Sequence, residues 1–369
     1  LKVAILGTRG IPANYGGFET FADEISVELV RRGHEVTVYG RRPFFSRSTT
    51  ESLNGVISLK TPTIYSKYLE TPLHAVTSFI DVVTKRNFDI LLLCNAANSP
   101  FALILKLFSK TPLVINVDGI ERKRKKWGLL GRLGYRLGEF CSVKFATQIV
   151  SDADVIKQYY LDSFGVESKV IRYGANAPVI APGPVHEMFN LIPGEYFLYV
   201  SRLEPENNAL GVIEAFVASG IDRQLVIVGD APYADEYKAK LRSAANERVI
   251  FTGFQFGKAY RELRCNCFAY IQASEVGGTH PALVEAMAHG NYVIANDVPE
   301  HREVLKEYGE YYQKNNFNEL AQLIKRISTM SLKERRLCGS HAQRYAQEQY
   351  SWRAITDQYE KLLTDLIPR

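Results

Sequence analysis

The chain has 369 residues, 46% of them hydrophobic and 23% charged, which excludes a disordered polypeptide and exceeds what one ordinary core holds, so two domains are expected. Lysine and arginine total 45 against 40 for aspartate and glutamate, a net charge of +5; a global polyelectrolyte role is excluded and a local basic patch is not. The five cysteines Cys94, Cys141, Cys265, Cys267 and Cys338 are scattered, and Cys265 and Cys267, one residue apart, are too close for zinc-finger spacing and have no histidine close by, a pattern expected of reduced thiols in a cytoplasmic protein without a metal.

The opening run Lys2–Gly7 reads as a core strand rather than a signal peptide. The apolar run Phe101–Leu105 is cut by Lys106, so no membrane span is expected. Strands are expected at Val3–Leu6, Glu35–Tyr39, Asp89–Leu93, Leu113–Val117 and Thr147–Val150. A second series is expected at Tyr196–Val200, Gln224–Val228, Val249–Phe251, Phe268–Gln272 and Tyr292–Ala295. These runs are largely apolar and alternate with helix-length segments, the pattern of parallel sheets covered on both faces. Each half reads as a doubly wound α/β unit. Pro178, Pro182 and Pro184 disfavour helix and mark a linker. The boundaries are set at 1–176, 177–350 and a terminal helix at 351–369, with ligands expected in the cleft at the carboxyl ends of the strands.

The first loop, Gly7–Thr20, joins the first strand to a helix expected over Phe21–Arg32. It is too long for a tight dinucleotide turn. Gly16 and Gly17 suit close backbone approach to an anion or sugar, and Arg9 suits a phosphate. Asp118 ends the strand Leu113–Val117 and suits an acceptor hydroxyl or a base's role as well as it suits a turn cap. Arg122, Lys123, Arg124, Lys125, Lys126, Arg132 and Arg136 interleave with Trp127, Leu129, Leu130, Leu133, Tyr135 and Leu137. That stretch reads either as an anchor on an anionic membrane or as a solvated helix face, and no companion motif supports nucleic-acid binding. Asp152 and Asp154 imitate a metal motif, but Asp152 reads as a helix N-cap.

In the second half, Arg202 follows a strand, where a diphosphate or a neighbouring Glu204 or Glu206 are its alternative partners. The segment Ala273–Gly290 carries most information. A strand leads into Gly277 and Gly278, then into a helix containing Glu285. Glycines at a helix N-terminus let unpaired N–H groups face an anion. An acid inside the following helix is placed to accept hydrogen bonds from ribose, as in dinucleotide folds.

Over nearly its full length the chain resembles the retaining glycosyltransferases of family 4, and within them the bacterial rhamnosyltransferase-like subgroup of capsule and cell-wall polysaccharide assembly. The resemblance is carried by Leu6–Glu19, Val117–Glu121, Lys126–Gly128, Val170–Asn176, Arg202–Asn208, Val276–Pro281 and the terminal Ser351 and Trp352. It implies the GT-B fold: two Rossmann-like doubly wound domains facing an interdomain cleft. It implies a hexosyltransferase that needs no metal or other cofactor, with Arg202 and backbone amides stabilising the departing diphosphate. The donor set implied is Gly16, Gly17, Arg202, Asn207, Glu275, Gly277, Gly278, Thr279, His280 and Glu285. Arg9 is assigned to acceptor or phosphate, and Asp118 to catalysis. The broad family carries glutamate where Gly277 stands, lysine where Asn207 stands and commonly histidine where Asp118 stands. The first-guess donor is dTDP-L-rhamnose, and the acceptor a lipid-linked or glycan intermediate at the inner face of the cytoplasmic membrane. A nucleotide-sugar 2-epimerase of similar fold and a silent nucleotide-sugar-binding protein are the alternatives.

Overall fold

The computed structural model describes residues 1–13, 16–44, 49–66, 69–85, 87–117, 119–120, 122, 128–231 and 234–367. It divides into two compact units. Among the described residues the first comprises 1–122, 128–173 and 352–367, and the second 174–351.

The first unit holds β1 (Lys2–Leu6), β2 (Glu35–Arg41), β3 (Thr50–Leu53), β4 (Val56–Thr61), β5 (Ile90–Cys94), β6 (Leu113–Asn116), β7 (Gln148–Ser151) and β8 (Lys169–Val170). They form one eight-stranded sheet in the order β3-β4-β2-β1-β5-β6-β7-β8. All neighbours are parallel except β3 and β4. The expected strands are present; β3, β4 and β8 are additions. The β3–β4 hairpin turns at Asn54 and Gly55, both with positive φ (52° and 83°), the dipeptide that two-residue hairpins favour. Its polar strand Thr50–Leu53 hides it from a search for apolar runs.

The helix Trp352–Asp365 belongs to this unit. Trp352, Ile355, Tyr359 and Leu363 recur at helical spacing and are buried in the same cluster as Phe21, Ile25 and Leu29. Phe21 lies 6.2 Å from the Trp352 ring and 5.2 Å from that of Tyr359, and the Tyr359 hydroxyl accepts from Asn116 at 2.8 Å. Burying each such aromatic stabilises by about 1.5–3 kcal/mol, so this helix, distant in sequence, is integral to the first unit.

The second unit holds β9 (Tyr196–Val200), β10 (Gln224–Val228), β11 (Val249–Gly253), β12 (Ala269–Gln272), β13 (Val293–Asn296) and β14 (Glu310–Tyr312). The sheet is wholly parallel, in the order β11-β10-β9-β12-β13-β14. Counted within the unit this is 3-2-1-4-5-6, the doubly wound Rossmann order, whose switch point lies between β9 and β12. In the first unit the same order runs through β4, β2, β1, β5, β6 and β7. The three-residue β14 is too short to be read from sequence. The segment 177–183 is neither helix nor strand, and Pro184 opens the short helix Pro184–Met188, as proline at a first helical position does.

Candidate active site

At the switch point of the second unit, two loops leave adjacent strands. Ser201 and Arg202 follow β9; Ala273–His280 follows β12 and enters the helix Pro281–Ala288. Side-chain amides lock the loops together. Asn208 donates to the carbonyl of Ala273 at 2.9 Å and to Asn315 at 2.9 Å. Asn296 donates to the same carbonyl at 3.2 Å, and its Oδ1 accepts from the Asn315 amide at 2.9 Å. The Glu275 amide bonds the Glu206 carbonyl at 2.9 Å. Asn208 and Asn315 sit at φ 64° and 58°, a region asparagine tolerates because its short amide bonds locally.

Asn207 is buried, and its Nδ2 donates to the Arg202 carbonyl at 2.7 Å while its own carbonyl accepts from Tyr199 at 2.6 Å. Its amide therefore braces the backbone that carries Arg202. The Arg202 side chain is 40% exposed and stands 4.0 Å from Glu204.

Gly277, Gly278 and Thr279 are buried, while Glu275 and His280 are partly so. A Cβ at Gly277 would lie 2.3 Å from the His280 ring, so only glycine permits this position of the imidazole. His280 is the N-cap residue of the helix, and its side chain makes no capping bond. Its Nδ1 lies 3.3 Å from Ser274 Oγ, which is 3.1 Å from His301 Nε2 and accepts from Gln272 at 2.7 Å. His301 Nδ1 is 2.7 Å from the Asn296 carbonyl, so Nδ1 carries the proton and Nε2 accepts. Burial holds the His301 pKa down to about 4, which keeps this second ring neutral.

Glu285 lies inside the helix as expected, but one carboxylate oxygen is already engaged. Oε2 pairs with Arg264 and accepts from Tyr260 at 2.9 Å. The Arg264 side chain is 3% exposed and that of Glu285 is 15%. The Arg264 guanidinium also covers the Tyr260 ring at 4.6 Å. Burial and the neighbouring carboxylate hold the Tyr260 hydroxyl protonated, well above its usual range. Behind the helix, the Gly290 carbonyl lies so near Gly339 that a Cβ there would approach within 1.9 Å. The helix Leu332–Tyr350 thus packs closely against the carboxyl end of the helix Pro281–Ala288. Sequence reading missed Tyr260, Arg264, Ser274, Asn208, Asn296, His301 and Asn315. The signal for Arg264 was an arginine among the inward positions of Gly257–Cys265; the rest follow only from the strand order.

In the first unit, the helix begins at Gly17, not Phe21, with Gly16 as N-cap. The difference arises because Glu19 and Asp23, inside the first turns, accept from the loop amides of Arg9 at 2.8 Å and Ala13 at 3.0 Å. Those loop amides are therefore turned toward the helix carboxylates. Arg9 Nε is 3.3 Å from Glu70, which also pairs with Arg41, and its guanidinium lies 4.6 Å over Phe44. Arg9 thus has a carboxylate partner where a phosphate was expected. Asp118, Lys123, Arg124, Lys125, Lys126 and Trp127 lie outside the described residues. Arg122 donates to Glu139 at 3.2 Å and to Tyr159 at 2.8 Å, and Arg136 to Tyr159 at 3.2 Å. Arg132 is exposed. Asp152 is not the N-cap: Ala153 holds that position, because the helix starts at Asp154. Among the described residues no group of three or more His, Cys, Asp and Glu is arranged to hold a metal. No helix among them is long and apolar enough to cross a membrane.

Residues 192–365 match the family model of glycosyl transferases group 1, and residues 1–176 match a domain of unknown function, DUF1972. An uncharacterized glycosyltransferase of Methanocaldococcus jannaschii is 24% identical over 177 residues, 46% of this chain and 45% of that protein. The matched stretch is less than half the length of the curated relatives. Sucrose-phosphate synthase from Thermosynechococcus elongatus superposes with a TM-score of 0.83 at 19% identity, covering 99% of this chain and 98% of that one. Anabaena HepE in complex with UDP and glucose superposes with a TM-score of 0.80 at 17% identity, covering 99% of each chain. The fold is GT-B. The match to glycosyl transferases group 1 lies in the second half of the chain.

Proposed function

We propose that the protein is a retaining glycosyltransferase of family 4 that moves a deoxyhexose, first L-rhamnose from dTDP-rhamnose, to a lipid-linked or glycan acceptor. The observation that supports the reading is that the loops bearing Arg202 and Gly277–His280 leave adjacent strands at one Rossmann switch point, with Glu285 in the helix that follows, inside the segment that matches glycosyl transferases group 1. HepE, a protein of similar fold, was solved with UDP-glucose, which supports a nucleotide-sugar donor. In this reading Arg202 and the backbone amides of the turn take the diphosphate, supplying the charge that a bound cation would otherwise supply. Glu285 takes the ribose. Gly277, Gly278, Thr279, His280 and Glu275 border the donor, and Asn207 acts through Arg202. Asp118 is proposed to orient the acceptor hydroxyl or accept its proton as the sugar transfers. Cytoplasmic transfer at the inner membrane face suits the basic stretch Arg122–Arg136 and a lipid-linked acceptor.

Isothermal titration against UDP-, dTDP-, GDP- and ADP-sugars tests the donor assignment. Binding of dTDP-rhamnose ahead of the others, followed by transfer with the anomeric configuration kept, is the expected result. Binding of none of them would sink the reading, and binding without turnover on any acceptor would favour the silent binding protein.

A further inference from the structure

The helix Leu129–Phe145 turns an apolar side to solvent. Leu129, Leu133, Leu137 and Phe140 are 75%, 58%, 54% and 53% exposed. Their spacing places them along one line of the helix. The other exposed residues described in this helix are Arg132, Gly134, Arg136 and Lys144, with no acid among them. The helix Ala102–Phe108, packed beside it, exposes Leu103, Leu107 and Phe108 together with Lys106. Single exposed leucines are ordinary, whereas a line of them on one helix marks a contact surface.

Beside this line lies a groove of about 420 Å³ bordered by Arg122, Leu129, Arg132, Leu133 and Arg136. Arg122 and Arg136 converge on Glu139 and the Tyr159 hydroxyl. Three guanidinium groups therefore border a groove whose remaining wall is leucine, and Glu139 is the carboxylate that two of them share. Guanidinium forks match phosphate oxygens, and leucine suits the acyl boundary just beneath a headgroup. A second copy of the chain is a poor occupant, because a twofold contact through this face would set its positive patch against the same positive patch of the partner.

We propose that this face is an anionic-phospholipid surface: the groove takes a lipid phosphate and the Leu129–Phe140 line enters the bilayer interface. The proposal rests on the membrane-proximal reading above and adds an apolar component to what charge alone would give. Flotation of the full chain with vesicles of phosphatidylcholine alone, or mixed with phosphatidylglycerol, tests it at low and high salt. The wild type should float with the mixed vesicles and keep a salt-resistant fraction, since screening weakens only the ionic part. Leu133→Ser with Leu137→Ser should remove that fraction. Arg132→Gln with Arg136→Gln should weaken binding to the mixed vesicles by about 25-fold, at about one factor of five per basic residue. Nucleoside diphosphate affinity, measured without vesicles, should be unchanged in both variants and reports separately on the enzymatic reading and on folding. Undiminished flotation of the leucine variant, equal binding to neutral vesicles, or a lipid-free dimer abolished by the leucine changes would each overturn the proposal.

Discussion

Glu285→Gln separates two roles that one carboxylate holds. Arg264 is 3% exposed and its ion-pair partner is Glu285. Glutamine keeps a hydrogen-bond acceptor but leaves a buried guanidinium without a countercharge, at a cost of roughly 3–5 kcal/mol. For a domain of this size about 2–4 °C of Tm accompanies each kcal/mol, so unfolding is expected roughly 6–20 °C lower. The loss of the proposed ribose contact should also weaken nucleoside diphosphate binding by about 1–3 kcal/mol. Adding Arg264→Met removes the stranded charge and keeps most of the volume, so much of the stability should return. Calorimetric unfolding without ligand and titration with nucleoside diphosphate read the two effects independently. The double variant should regain Tm and not affinity. If the single variant unfolds at the wild-type temperature, the ion pair contributes nothing and the structural argument fails. If affinity returns with Tm, Glu285 serves only to hold Arg264 and the ribose assignment is wrong.

Arg202→Ala should erase most of the preference for nucleoside diphosphate over bare nucleoside, a loss of about 1.5–3 kcal/mol for charge-assisted bonds; an unaltered preference in titration removes Arg202 from the phosphate site. Gly277→Ala puts a Cβ 2.3 Å from the His280 ring and should cost roughly 1–3 kcal/mol of stability, along with donor affinity as the imidazole swings away. A variant with wild-type Tm and donor affinity would show that His280 moves without consequence. Acid should destabilise the protein in a defined window. Burial lowers the pKa of His301 and His289 to about 4, and burial with Arg41 nearby lowers that of His74 to about 3. A folded-state pKa below the ordinary 6.5 means the unfolded chain binds more protons, so stability is intact above pH 6.5 and falls as pH drops toward 4, by about 3 kcal/mol per imidazole. Urea midpoints that stay constant from pH 6.5 to pH 4.5 would contradict this.

Legibility followed the physics of each element. Buried parallel strands are continuous apolar runs, so Val3–Leu6 and Tyr196–Val200 announce themselves, and with them the doubly wound plan. The hairpin at Asn54 and Gly55 was not among the expected elements; its only signal is the turn dipeptide, not its strands. The loops after β9 and β12, the proposed donor loops, were visible as glycines and an arginine at strand ends. Their bracing was not, because the partners come from other strands: Asn208 meets Asn315, and Ser274 meets His301, only once β9, β12, β13 and β14 lie side by side.

Two of the three departures from the resembled family, those at Gly277 and Asn207, acquire a physical sense in these contacts. Replacing a glutamate by Gly277 removes a negative charge from the turn, and replacing a lysine by Asn207 removes a positive one from the loop opposite. The net charge of the loop pair is therefore conserved, although each side chain is changed. The His280 ring lies where a side chain at 277 would project. Asn207 gives up charge and instead holds the backbone of Arg202 at 2.7 Å. The arrangement concentrates the fixed positive charge of these loops on one guanidinium, whose planar fork is better matched to a diphosphate than a point charge is. It also makes this loop pair more dependent on that one residue than a loop pair sharing the task between arginine and lysine. In this chain Arg202→Lys should therefore fall well short of wild-type turnover even though the charge is kept, and wild-type turnover of that variant would mean that charge alone, without the fork, suffices.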